Sequence, residues 1–140
     1  MITGINHATF AVSDLDASCD FYGAMLGMRM VARWPRGAYL RAGDAWVALL
    51  VDAHTRRGAL EEYTHLAFSV SPEDFEAMAS RLRRAGVREF KDNRSEGASL
   101  YILDPDGHKL ELHASDLEAR LREARAHPWP GLEILEPADG

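Results

Sequence analysis

A chain of 140 residues with 16 Lys and Arg against 22 Asp and Glu has a formal net charge of −6 at pH 7, which argues against a general nucleic-acid binder. It is long enough for one domain or two tightly packed halves around a sizeable apolar core. No apolar run approaches the ~18 residues of a membrane span, Cys19 has no second cysteine to pair with, and Met1-Ile2-Thr3-Gly4 carries no basic or apolar leader, so a cytoplasmic protein without membrane contact is expected.

From residue 5 an alternating strand runs into a helix start at Ser13, with Asp16 three residues on as the capping acid. The helix carries Leu15, Cys19, Tyr22, Met25 and Leu26 on one face and stops at Gly27. Strands are predicted over 28–33, 38–41 and 45–51, the last two joined by a Gly43-Asp44 turn. A polar stretch from Asp52 to Glu62 follows. The pattern then repeats at an offset of 58, with His7 falling on His65, Phe10 on Phe68, Val12 on Val70 and Ser13 on Ser71. The second helix has Ser71 and Asp74 as its cap, Pro72 in the first helical position, Phe75, Met78, Ala79, Leu82 and Ala85 on its apolar face, and Gly86 at its end. Strands over 87–90, 99–103 and 109–113 follow, the last pair joined by Asp104-Pro105-Asp106-Gly107. A third helix begins at a Ser115/Glu118 capping box and ends before Pro128, leaving an irregular tail.

These elements predict an α+β protein: two βαβββ repeats forming a curved mixed sheet with a cleft, plus a C-terminal helix. The expected layout is a single domain with repeat 1 at about 1–52, a linker at about 53–62, repeat 2 at about 63–114, and the C-terminal helix and tail at about 115–140. Alternation puts His7, His65 and Glu111 on the strand faces away from the helices, and so into the cleft. Two imidazoles and one carboxylate suit a divalent metal from Mn to Zn with positions left open. Aligning the hairpins sets Ala48 opposite Glu111, so the first repeat contributes no matching carboxylate. His54, His108, His113 and His127 are expected in turns or on the surface, and Cys19 in the core. Six basic and two acidic residues between Arg81 and Arg94, the run from Lys91 to Tyr101, and Arg120 outline a positive pocket for a small anion. Trp34, Tyr39, Trp46, Tyr63 and Tyr101 are candidate walls.

The segments Gly4-Ile5-Asn6-His7, Ala32-Arg33-Trp34, Gly37-Ala38-Tyr39-Leu40, Tyr63-Thr64-His65, Asn93-Arg94-Ser95-Glu96-Gly97 and Leu103-Asp104-Pro105-Asp106-Gly107-His108-Lys109-Leu110-Glu111 resemble the vicinal oxygen chelate superfamily. Within it they resemble the fosfomycin-resistance metal-dependent glutathione transferases. The resemblance implies Mn(II) on His7, His65 and Glu111, potassium at Asn93, Ser95, Gly97 and Ser99, and a homodimer whose chains share each active site. Thr9, Lys91, Ser95, Tyr101 and Arg120 would hold the phosphonate of fosfomycin, with Tyr63 and Ser99 beside it and Trp46 as a wall. Tyr39 and Arg94 would lie near the incoming glutathione, and Thr9, Tyr39, Lys91 and Arg120 would serve catalysis. Arg36, Leu50, Ala98 and Trp129 depart from the family pattern, the first two and the last on the thiol side. The alternatives are a transferase using another thiol, a hydrolase with Asp44 as the available carboxylate, another enzyme of the superfamily, and a binding protein for small anions.

Overall fold

The computed structural model describes residues 1–94 and 96–138. Strands β1 (His7–Val12), β2 (Arg29–Trp34), β3 (Gly37–Ala42) and β4 (Ala45–Val51) form one sheet in the order β1-β4-β3-β2. Strands β5 (Leu66–Ser69), β6 (Glu89–Lys91), β7 (Ser99–Leu103) and β8 (Lys109–His113) form a second sheet in the order β5-β8-β7-β6. In both sheets the strand before the helix pairs in parallel with the last strand of its repeat, and the other pairs are antiparallel. β1 and β5 are therefore edge strands, each with one side unpaired among the described residues.

The alternating sequence explains how each sheet buries one face. Val12, Val47, Leu49, Ala38 and Leu40 pack against the first helix, and Leu110, Leu112, Leu100 and Ile102 face Phe75, Ala79 and Leu82 of the second, all in one cluster. The first helix is α1 (Leu15–Cys19) and continues as a π-helical segment, Asp20–Met25. Its wider turn, with Leu26 N–H donating to Phe21 O at 2.9 Å, accommodates the adjacent rings of Phe21 and Tyr22 in the core. Helix α2 (Pro72–Arg84) starts at the expected cap, Ser71, whose hydroxyl accepts from Asp74 N. No helix among the described residues is long and apolar enough to cross a membrane.

Two helix starts differ from expectation because another partner claims the serine. Asp14, not Ser13, caps α1, since Ser13 donates both its N–H and its hydroxyl to Asp106. Asp116, not Ser115, caps α3 (Leu117–Ala126), since Ser115 donates to Glu96 Oε1 at 2.7 Å. Both contacts are long-range, so local spacing could not reveal them.

The first of these contacts belongs to a polar lock between the repeats. Tyr22, fully buried, donates its hydroxyl to Asp104 Oδ2 at 2.6 Å, while Asp104 Oδ1 accepts from the N–H groups of Asp106 and His108. His108 is not a free turn residue: its Nε2 donates to Ala11 O at 2.8 Å, its ring packs on Phe10, and Arg56 reaches Nδ1. Gly107 has φ 85°, and a Cβ there would overlap the Gly58 carbonyl, so the turn fits closely under the linker. Burial holds the Asp104 carboxyl above the ordinary carboxylate range, against the pull of Tyr22 and its other partners. Tyr22→Phe should cost about 1–3 kcal/mol, because it leaves a buried carboxylate oxygen without its donor; urea denaturation at neutral pH measures it.

Candidate metal and anion site

Glu111 lies in the middle of the open face of the second sheet, in register with Tyr101 on β7 and Ala67 on β5. It is 6% exposed, and a carboxylate so covered requires donors or a cation. Ser99 donates to its Oε2 at 2.8 Å. Its Oε1 faces His65 Nε2 at 3.1 Å. The other ring nitrogen of His65, Nδ1, is 2.9 Å from the Tyr63 carbonyl, which accepts only from N–H. A neutral His65 therefore turns the lone pair of Nε2 towards Glu111 Oε1, and two acceptors meet. A separation of 3.1 Å is what two ligand atoms about 2.1 Å from one ion, at roughly a right angle, would span. The donor set fits a divalent metal.

Cationic and aromatic groups adjoin this pair. The Lys91 ammonium lies over the rings of Tyr63 and Tyr101, 4.6 and 4.7 Å from their centroids, and donates to the Tyr63 hydroxyl. The Tyr63 contact holds the Lys91 pKa above its ordinary value. His65 packs T-shaped on the same two tyrosines, so the Lys91 cation and the imidazole share both rings as neighbours.

His7 occupies the matching place on the other sheet. It is exposed and stacks on Trp46 at 4.4 Å, and its Nδ1 is 2.6 Å from Asn6 Oδ1, so its Nε2 is also left as the lone-pair nitrogen. Thr9, Ala48 and Tyr39 lie in one row across β1, β4 and β3, as Ala67, Glu111 and Tyr101 do in the second sheet, and Ala48 stands where the carboxylate would be. Among the described residues no three His, Cys, Asp or Glu side chains gather within reach of one ion. One chain brings His65 and Glu111 together and leaves His7 apart. A cleft of about 720 Å³ between the edge strands takes in His7, Trp46, Leu66, Ala67 and Met78.

Residues 4–112 match the Glyoxalase/Bleomycin resistance protein/Dioxygenase superfamily. The chain is 51% identical over 134 residues to the glutathione transferase FosA of Serratia marcescens, covering 94% of this chain and 95% of that one. It is 38% identical over 138 residues to the metallothiol transferase FosB of Staphylococcus haemolyticus, covering 91% and 96%. The fosfomycin resistance protein FosX of Listeria monocytogenes, crystallised with Mn(II) and sulfate, superposes with a TM-score of 0.73 at 29% identity, covering 91% of this chain and all of that one. The chain belongs to the fosfomycin-resistance thiol transferases.

The family resemblance singles out a loop whose described part is also built around polar contacts. Asn93 donates to Gly97 O at 2.7 Å, and Ser115 holds Glu96 Oε1. Gly97 has φ 78°, and a Cβ on it would come within 2.6 Å of Ser115 Cβ. Glu96 Oε2 is buried with no hydrogen-bond partner among the described residues, an oxygen that suits a hard cation. Ser95 lies outside the described residues. Arg94 and Arg120 are exposed, the latter on α3, and Tyr39 is 41% exposed on the first sheet.

Sequence reasoning missed one residue beside the Glu111 carboxylate. His113, expected at the surface, has a side chain only 15% exposed, with Nδ1 2.6 Å from Ser99 Oγ and 3.1 Å from Glu111 Oε2. The signal was its spacing of two from Glu111, which puts both on one strand face.

Proposed function

We propose that the chain is a transferase that adds the thiol of glutathione to the epoxide of fosfomycin, with Mn(II) and K⁺, as a cytoplasmic homodimer with shared active sites. The observation that carries this reading is the acceptor pair of His65 and Glu111 beside the Lys91 cation. His65 and Glu111 of one chain, with His7 of a second copy, would hold the divalent ion, which supplies Lewis acidity to the epoxide oxygen when bound. The unpaired edges of β1 and β5 and the exposed Trp34, Tyr39 and Leu50 on the first sheet support pairing with a second copy. Glu96 Oε2 supports a potassium ion in the loop with Asn93, Ser95, Gly97 and Ser99.

Lys91 and Arg120 neutralise the phosphonate, and Thr9, Ser95 and the hydroxyl of Tyr101 complete its polar contacts, with Tyr63 and Ser99 at its border. Held in this way, the epoxide carbon is exposed to in-line attack, and Trp46 limits water on one side. The glutathione sulfur, steered by Tyr39 and Arg94, forms the C–S bond as the C–O bond breaks. The bonding pair goes to the ring oxygen, which takes up the proton the thiol has released. No protein nucleophile is needed, which agrees with a buried Cys19 whose pKa is raised by burial.

Phosphorus NMR of fosfomycin with the protein, Mn(II) and K⁺ tests the reading. A new resonance with glutathione and none with cysteine or without thiol is expected. Product without thiol would assign a hydrolase, product with cysteine a different thiol transferase, and no product at all would overturn the reading.

A further inference from the structure

His113 does no work in the reaction as described, yet it is covered on the sheet face beside the carboxylate that would bind metal. The proton positions follow from three distances. Ser99 has one hydroxyl hydrogen and donates it to Glu111 Oε2 at 2.8 Å. The short 2.6 Å contact between Ser99 Oγ and His113 Nδ1 therefore needs its hydrogen from the imidazole. The same nitrogen is 3.1 Å from Glu111 Oε2, where a lone pair would face a carboxylate oxygen with nothing between them. Both contacts are satisfied only with the proton on Nδ1, so His113 donates into the Ser99–Glu111 pair.

The backbone and the loop fix the ring in that place. His113 O accepts from Val70 N at 3.0 Å, and His113 is in register with Ser69 on β5 and Ser99 on β7. On its far side a Cβ at Gly97 would stand 3.5 Å from His113 Cε1, so the loop backbone abuts the ring. The two oxygens of Glu111 thus have separate environments: Oε1 is open to His65, and Oε2 is occupied by Ser99 and His113.

We infer that His113 is a positioning residue for the metal-binding carboxylate, fixing Glu111 through Ser99 so that it offers a single oxygen to the ion beside His65. The inference rests on the divalent-ion reading above. Removing an outer partner of this kind weakens metal binding by about 10- to 100-fold. The position of the donor matters, because an Asn amide nitrogen lies near the place of Nδ1 and a Gln amide nitrogen near that of Nε2.

Mn(II) titration of the full chain, read from the electron paramagnetic resonance signal of the free ion, tests this without reference to turnover. His113→Asn is expected to bind Mn(II) close to the wild-type affinity, and His113→Gln and His113→Leu about 10- to 100-fold more weakly. Circular dichroism establishes that each variant is folded, and the two amide variants keep the comparison available should the Leu variant not fold. Equal affinity for all the folded variants and wild type would overturn the inference while leaving the metal site standing. Loss in His113→Asn as large as in His113→Gln would overturn it too, pointing to direct ligation or packing. Wild-type protein that binds no Mn(II) would remove both the inference and the metal reading.

Discussion

Mixing His7→Ala chains with Glu111→Gln chains should restore fosfomycin opening that neither variant performs alone. The expectation follows from where one chain places its candidate ligands. His65 and Glu111 meet at 3.1 Å on the second sheet, whereas His7 stands on the edge strand of the first, and no third ligand joins the pair among the described residues. If each site takes His7 from one copy and His65 with Glu111 from the other, a mixed dimer carries one site with both lesions and one with none. Random re-pairing makes about half of the dimers mixed, so about one quarter of wild-type activity should return. The variants are co-expressed with different tags, mixed dimers are purified through both tags, and their turnover, measured after this selection, should be about half that of wild type. Mixed dimers as inactive as the parents would mean that the site is not shared between chains.

Glu111→Gln alone should abolish tight Mn(II) binding and reduce turnover by roughly 10²–10³ or more, the scale at which one charge-stabilising group acts in a closed site. Gln preserves volume and can still accept from Ser99, so the change removes charge and little else. For the metal-free protein the substitution should be neutral or stabilising, because a covered carboxylate at 6% exposure is costly to keep ionised. The two states separate in a thermal melt. Saturating Mn(II) at about 100 times its Kd adds about 2.7 kcal/mol to a folded state that binds it, and wild type should show the corresponding upward shift in Tm. The variant should show none. A metal-induced shift equal to that of wild type would remove Glu111 from the ligand set.

Much of the fold was legible because the signals that encode it are local. Period-two alternation in β1, β4, β7 and β8, the Ser71 cap with Pro72, and glycines at Gly27, Gly43 and Gly86 with positive φ all follow from steric rules within a few residues. The repeat carried further: its offset of 58 placed His7 and His65 in equivalent positions, and aligning the final hairpins on their turns set Ala48 against Glu111, as the strand registers show. The caps of α1 and α3 were misassigned for the opposite reason. Ser13 and Ser115 have the right spacing to cap, but Asp106 and Glu96, far away in sequence, claim their hydroxyls. His108 and His113 looked like turn and surface residues until the turn met Phe10 and Ala11 and the strand face met Ser99.

The sequence by itself determined the two βαβββ repeats, the face on which each candidate ligand stands and the chemical character of the set, since alternation, capping and residue type are properties of short stretches of chain. Tertiary structure decided which ligands meet. It brought His65 and Glu111 to 3.1 Å, left His7 on a separate edge strand and set His113 behind the carboxylate. Strand register and the packing of one sheet against its helix bring together residues far apart in sequence, 46 positions in the case of His65 and Glu111, and no local rule of spacing encodes contacts of that range.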